Sequence, residues 1–119
     1  MEEDKQIIDN IVKGIQERKG KKIVIVDMTK LTDRACSYFI ICEGDSTTHV
    51  SSISDSIRDY VRKELKIKPF AVDGTENALW IAIDYGQILV HVFNRETRTF
   101  YDLEHLWSDA KLVEISDLA

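Results

Sequence analysis

Proline is almost missing: Pro69 is the only one in 119 residues. No proline-rich or low-complexity stretch and no internal repeat divides the chain, which reads as one domain without a linker. Cysteine is scarce too. Cys36 and Cys42 are the whole supply, six positions apart around an apolar run. If that run is extended, their Cα atoms stand ~20 Å apart, beyond disulfide reach, so both read as buried, reduced thiols. No apolar stretch approaches the ~20 residues that span a bilayer. The start, Met1-Glu2-Glu3-Asp4, is acidic, the opposite of a signal peptide. A cytoplasmic protein with no membrane partner is expected. Basic residues are the minority, 16 against 21 acidic, for a net charge of −5. Such a chain is a poor binder of bare RNA or DNA, because phosphate neutralisation needs a basic face.

What the sequence does hold is a globular balance, 44% hydrophobic and 31% charged. A chain of this size buries roughly two-thirds of its unfolded surface, enough for one core. Ile7, Ile8, Ile11, Val12 and Ile15 follow a helical spacing over residues 4–19, with Gly20 placed to stop it. Ile23-Val24-Ile25-Val26 is a run without alternation, as in a strand covered on both faces. Leu31-Thr32-Asp33 reads as a short turn, and Tyr38 to Cys42 as a second strand. Asp45-Ser46-Thr47-Thr48 supplies helix caps, and Val50, Ile53, Ile57, Tyr60, Val61 and Leu65 mark the following helix to about Lys66. Phe70-Ala71-Val72 is a short strand. Ala78 to Asp84 and Ile88 to Phe93 form a hairpin about Asp84-Tyr85-Gly86-Gln87. The stretch from Glu96 to Trp107 mixes aromatics and charges and is expected to end in a short helix, and residues 108–119 read as a loose tail or an edge segment. The order α-β-β-α-β-β-β-α predicts an α/β fold, a mixed sheet of about five strands packed with helices.

Catalytic patterns are sparse. His49, His91 and His105 lie far apart, without a Cys-x-x-Cys or His-x-x-x-His pair to hold zinc. There is no Gly-x-Ser-x-Gly elbow, and Cys42 sits in an apolar run that disfavours a thiolate. Gly44-Asp45-Ser46 joins a strand to a helix start, where backbone N–H groups hold anions. It lacks a phosphate-loop pattern, however, and its Asp would repel phosphate, so a turn with an N-cap is the plainer reading. Nucleotidyltransferases pair such a turn with two aspartates that hold Mg²⁺, and no Asp-x-Asp occurs here. No metal and no cofactor is expected.

The hairpin carries more. Ala78, Trp80 and Ala82 should share one face, with Leu79, Ile81 and Ile83 on the other; Leu89, His91 and Phe93 should oppose Ile88, Val90 and Val92. Both faces are then largely apolar. One meets the helices, and part of the other is left for a partner. Trp80 between two alanines is a core residue or an interface anchor. His91 is a core or interface histidine. Tyr101, Leu103, Leu106 and Trp107 form a stripe suited to core packing, while Arg98, Asp102, Glu104 and His105 suit a solvated face.

Taken together, Trp80-Ile81-Ala82-Ile83-Asp84-Tyr85-Gly86, Val90-His91-Val92-Phe93, Arg98 and Phe100-Tyr101-Asp102-Leu103-Glu104-His105-Leu106-Trp107 resemble the ribosomal silencing factor family, RsfS, also called Iojap. Tyr38-Phe39-Ile40-Ile41-Cys42, Gly44, Ser46, His49-Val50, Gly74 and Glu76 fit the same family, so the resemblance runs from about residue 4 to 108. It implies a nucleotidyltransferase-like fold without the catalytic carboxylates, and no enzymatic activity. It implies docking on the large ribosomal subunit through its protein number fourteen, a steric block to subunit joining, repression of translation when nutrients are short, and a homodimer when free. Carried over by position, the partner surface comprises Trp80, Asp84, Tyr85, His91, Phe93, Arg98, Tyr101, Glu104, Leu106 and Trp107. The acidic balance suits a basic ribosomal protein as partner. A nucleotidyltransferase-like or nucleotide-binding module is the alternative.

Overall fold

A computed structural model of the chain describes residues 2–32, 36–106 and 109–117. Helix α1 (Glu2–Glu17) leads into β1 (Lys21–Asp27) and β2 (Tyr38–Gly44). Helix α2 (Thr47–Leu65) follows, then β3 (Ala71–Asp73), β4 (Trp80–Asp84) and β5 (Ile88–Asn94). The chain closes with α3 (Arg95–Tyr101), a single 3₁₀ turn (Leu103–His105) and β6 (Lys111–Ile115). The strands form one sheet in the order β3-β4-β5-β2-β1-β6. The β2–β5 pair is parallel and the other pairs are antiparallel.

The sheet has six strands rather than the five expected. The extra one is β6, which pairs antiparallel with β1, so the end of the chain supplies the edge segment and not the loose tail. Its sequence, Lys-Leu-Val-Glu-Ile, gives little warning, because an edge strand need bury only part of its side chains. Asp33, at the end of the expected Leu31–Asp33 turn, lies outside the described residues. Leu31 N–H donates to the Met28 carbonyl at 3.0 Å.

Helices α1 and α2 cover one face. Ile7, Ile11 and Ile15 from α1 and Val50, Ile53, Ile57 and Val61 from α2 recur at helical spacing, so each helix turns one apolar stripe inward. They meet Ile23, Ile40, Cys42, Ile81, Ile83, Ile88, Val90 and Val92 of the sheet. The helices approach closely at Gly14, whose carbonyl accepts from Ser56 Oγ at 2.7 Å. A Cβ on Gly14 would stand 2.7 Å from the Ile57 Cα, so only glycine fits there. Ser46 caps α2 by accepting from the His49 N–H. At the end of α1 it is Lys19, at φ +57, that takes the left-handed conformation, and not Gly20.

Alternation along the first hairpin strand begins later than expected. Ala78 has φ +55, which turns the chain just before β4. Ala78 is therefore buried with the helix-side core instead of standing beside Trp80 and Ala82. Leu79 is exposed instead of joining Ile81 and Ile83. From Trp80 onward, and throughout β5, the two faces fall as the pattern predicts. Gly74 closes this approach at φ +89, and a Cβ there would stand 2.1 Å from the Trp80 carbonyl oxygen. Gly74→Ala is expected to cost about 2 kcal/mol through strain and backbone displacement, read as a lower urea midpoint.

Candidate partner-docking surface

The second face of the sheet carries the other apolar cluster: Val24, Val26, Met28, Cys36, Phe39, Ile41 and Phe93. Leu31 and Leu103 pack against it from the segments that cross this face. Towards β4 the cover thins, and a chain of aromatic rings runs out to solvent. Phe39 meets His91 edge-on, with centroids 4.8 Å apart. Trp80 stacks on Phe93 at 5.0 Å, and Tyr101 lies 4.8 Å from Trp80, tilted by 47°. Phe100 stands edge-on to Tyr101 at 5.1 Å. Exposure rises along this row: Phe93 is buried, Trp80 half-buried, Tyr101 exposed, and Phe100 is 81% exposed. Leu106, on the same C-terminal segment, is exposed as well.

His91 lies under this row. Trp80 Nε1–H donates to its Nδ1 at 2.9 Å. An indole nitrogen only donates, so Nδ1 is the acceptor and the ring proton of the neutral imidazole sits on Nε2. That Nε2 is buried, with no hydrogen-bond partner among the described residues. Burial drives the imidazole pKa down to about 4. His91 is thus an uncharged ring that packs against Trp80 and orients it, with its Nδ1 lone pair taken by the indole N–H.

Arg98 overturns the solvated-face reading of its stretch. It is the buried residue of α3. Its Nη1 donates to the Lys22 carbonyl at 2.7 Å and to Glu43 Oε1 at 3.2 Å, while Nε and Nη2 grip Glu104 at 3.1 and 2.9 Å. Arg95 Nε donates to the other Glu43 oxygen at 3.0 Å, and its Nη2 to Asp45 at 2.9 Å. A buried guanidinium is tolerable because its donors meet carboxylates and a carbonyl in fork geometry. Asp102 and His105 do face solvent, paired to each other at 2.6 Å. The core-packing reading of the neighbouring stripe also fails in part. Leu103 packs inward, but Tyr101 and Leu106 are exposed. The left-handed Asp102, at φ +48, ends α3 and breaks the helical spacing that would have aligned them.

The remaining residues of the expected surface scatter. Asp84 caps the hairpin turn, accepting from Gly86 N–H at 2.7 Å. Tyr85 is buried in the helix-side core, away from the aromatic row, with its hydroxyl pKa pushed by burial up to about 12. Trp107 lies outside the described residues. The fold therefore gathers Trp80, His91, Phe93 and Tyr101, and places Arg98 and Glu104 in the support behind them. Glu43 and Arg95 were missed by sequence reasoning. The available signal was that Glu43 is the one charge in the otherwise apolar Tyr38–Gly44 run.

The geometry bears on the nucleotidyltransferase expectation. Two carboxylates do stand at the end of β2, Glu43 and Asp45, but both are engaged by the Arg95 guanidinium. That arrangement does not fit a Mg²⁺ ion, whose place near these oxygens a cationic side chain already takes. Among the described residues no three His, Cys, Asp or Glu side chains gather as a metal site. The Cys42 thiol is fully buried, and burial pushes it up to about 12, out of range for a nucleophile. No helix among the described residues is long and apolar enough to cross a membrane.

Comparison with known proteins agrees with the resemblance in the motifs. The family model described as "Ribosomal silencing factor during starvation" matches residues 1–119. The ribosomal silencing factor RsfS of Halalkalibacterium halodurans is 32% identical over 112 residues, 94% of each chain. A crystal structure of a Chromobacterium violaceum protein superposes with a TM-score of 0.81 at 30% identity, covering 90% of this chain and 88% of that one. A mouse protein named "Mitochondrial assembly of ribosomal large subunit protein 1" is 26% identical over 115 residues, and the match spans half of its length. With a family model spanning the whole sequence and a fold shared with its relatives, the chain belongs to the ribosomal silencing factor (RsfS/Iojap) family.

Proposed function

We propose that this protein docks on the large ribosomal subunit through the subunit's protein number fourteen, and that the docked protein stands where the small subunit must join. The observation that carries this reading is the aromatic row running from buried Phe93 through Trp80 to exposed Tyr101 and Phe100. Contiguous aromatics that reach the surface, here on α3 beside the sheet, are the residue types that dominate protein–protein affinity. The net charge of −5 adds long-range attraction to a basic ribosomal protein, and the mouse relative's name places that protein in large-subunit assembly.

In this reading the protein represses translation under nutrient limitation by occupying space, without catalysis or cofactor. It works in the cytoplasm, with residues 1–119 as one domain, and forms a homodimer when free. The rival nucleotidyltransferase reading needs two carboxylates available to a divalent cation, and Arg95 engages both candidates.

The purified protein is expected to co-sediment with isolated large subunits and to be absent from joined ribosomes. Phe100→Asp should weaken that association about tenfold, equivalent to ~1.4 kcal/mol, with an unchanged unfolding midpoint because the ring is exposed. Failure of the wild-type chain to sediment with large subunits would end this reading.

A further inference from the structure

Helix α3 is held unlike the other two helices. Its sequence, Arg-Glu-Thr-Arg-Thr-Phe-Tyr, buries no apolar residue; what it buries is Arg98. A seven-residue helix has no stability of its own; Phe100 is exposed, and Tyr101 is half exposed where it leans on Trp80. Hydrophobic burial, which seats α1 and α2, is therefore not the chief anchor here. Instead, both arginines of α3 reach one carboxylate. Glu43, on the central strand β2, is 5% exposed at its side chain; it accepts Arg95 on one oxygen and Arg98 on the other. Arg98 extends the grip to the Lys22 carbonyl on β1 and to Glu104 in the 3₁₀ turn. Among the described residues, the apolar ties of this segment to the sheet are Tyr101 on Trp80 and Leu103 on the second-face cluster.

We infer that Glu43 is a positioning residue: its carboxylate, shared by Arg95 and Arg98, sets the angle and depth at which residues 95–106 lie on the sheet, and so presents Phe100, Tyr101 and Leu106 to the partner. The presentation part rests on the docking reading above; the clamp itself does not. Two hydrogen-bonded guanidinium planes fix orientation more tightly than apolar contact, which is non-directional. Charge at Glu43 thereby acts on the docking surface without touching the partner.

The test is Glu43→Gln in the full chain, which keeps the side chain's shape and removes its charge. Residue-resolved hydrogen exchange should show the amides of Asp102 and Leu106, which bond to the Arg98 and Leu103 carbonyls, exchanging at least tenfold faster. Those of Ile41 and Val92, in the central β2–β5 pair, should be unchanged. Affinity for isolated large subunits should fall about tenfold. Arg95→Met, at a side chain 58% exposed and so tolerant of change, should give the same pattern with a smaller amplitude. Uniformly faster exchange throughout the sheet would assign Glu43 to general stability and overturn the inference. Unchanged exchange at Asp102 and Leu106 would overturn it too, whatever happens to affinity. If the wild-type chain does not bind large subunits, the docking reading falls with the presentation half, while the exchange pattern alone still decides the clamp.

Discussion

Arg98→Met will destabilise the protein by about 3–5 kcal/mol, the cost of breaking a buried ion pair from one side. The guanidinium is 8% exposed at its side chain and lies between Glu43, at 5%, and Glu104, at 15%. Methionine fills similar space but offers no donor. The Lys22 carbonyl then loses its 2.7 Å partner, and Glu104 loses both of its hydrogen bonds. Glu43 keeps only Arg95. The cost of leaving such groups buried without donors exceeds what the intact pair contributed, because water no longer reaches them. Equilibrium urea unfolding at neutral pH measures the effect. Arg58→Met is the control: its partner Asp55 is 69% exposed, so the loss there should stay below about 1 kcal/mol. Equal effects at the two positions would contradict the network as described.

Acidification from pH 6.5 to 4 will remove about 3 kcal/mol of stability through His91 alone. Burial holds its folded-state pKa near 4, below the ordinary 6.5. Between those values the unfolded chain takes up a proton that the folded chain refuses, so the folded state loses ground as pH falls. The contribution is complete above pH 6.5, declines through this window, and is constant once both states are protonated below pH 4. Protonation would also place a hydrogen on Nδ1, where the Trp80 indole N–H already points. His91→Gln retains an acceptor for Trp80 and has no titrating group, so its stability curve should lack this slope. Unfolding free energies measured across the window for both chains decide the matter; parallel curves would show that His91 is not the group responsible.

Much of this structure can be read from residue order. The periodicity of Ile7, Ile11 and Ile15, and of Val50, Ile53, Ile57 and Val61, places both long helices within two residues of their observed bounds, because one buried stripe per helix imposes that spacing. The hairpin pattern separates Trp80, His91 and Phe93 from Ile81, Val90 and Val92, because successive strand residues point to opposite faces. The motifs running from Trp80 to Trp107 suffice for the family.

What they leave open is set by contacts distant in sequence. Arg98 looks like a surface charge until the fold brings Glu43, 55 positions away, against it. Tyr85 belongs to the same motif as Trp80, yet it packs under the helices, because the hairpin turn sends its ring to the other face. Whether Lys-Leu-Val-Glu-Ile is a tail or an edge segment is decided by the unpaired edge that β1 offers it. Local periodicity determined which residues are helical, extended and apolar, since each of those depends on near neighbours. Which charges are buried, which aromatics remain outside and where the chain ends were decided by tertiary structure, since burial is settled by whatever packs across the sheet.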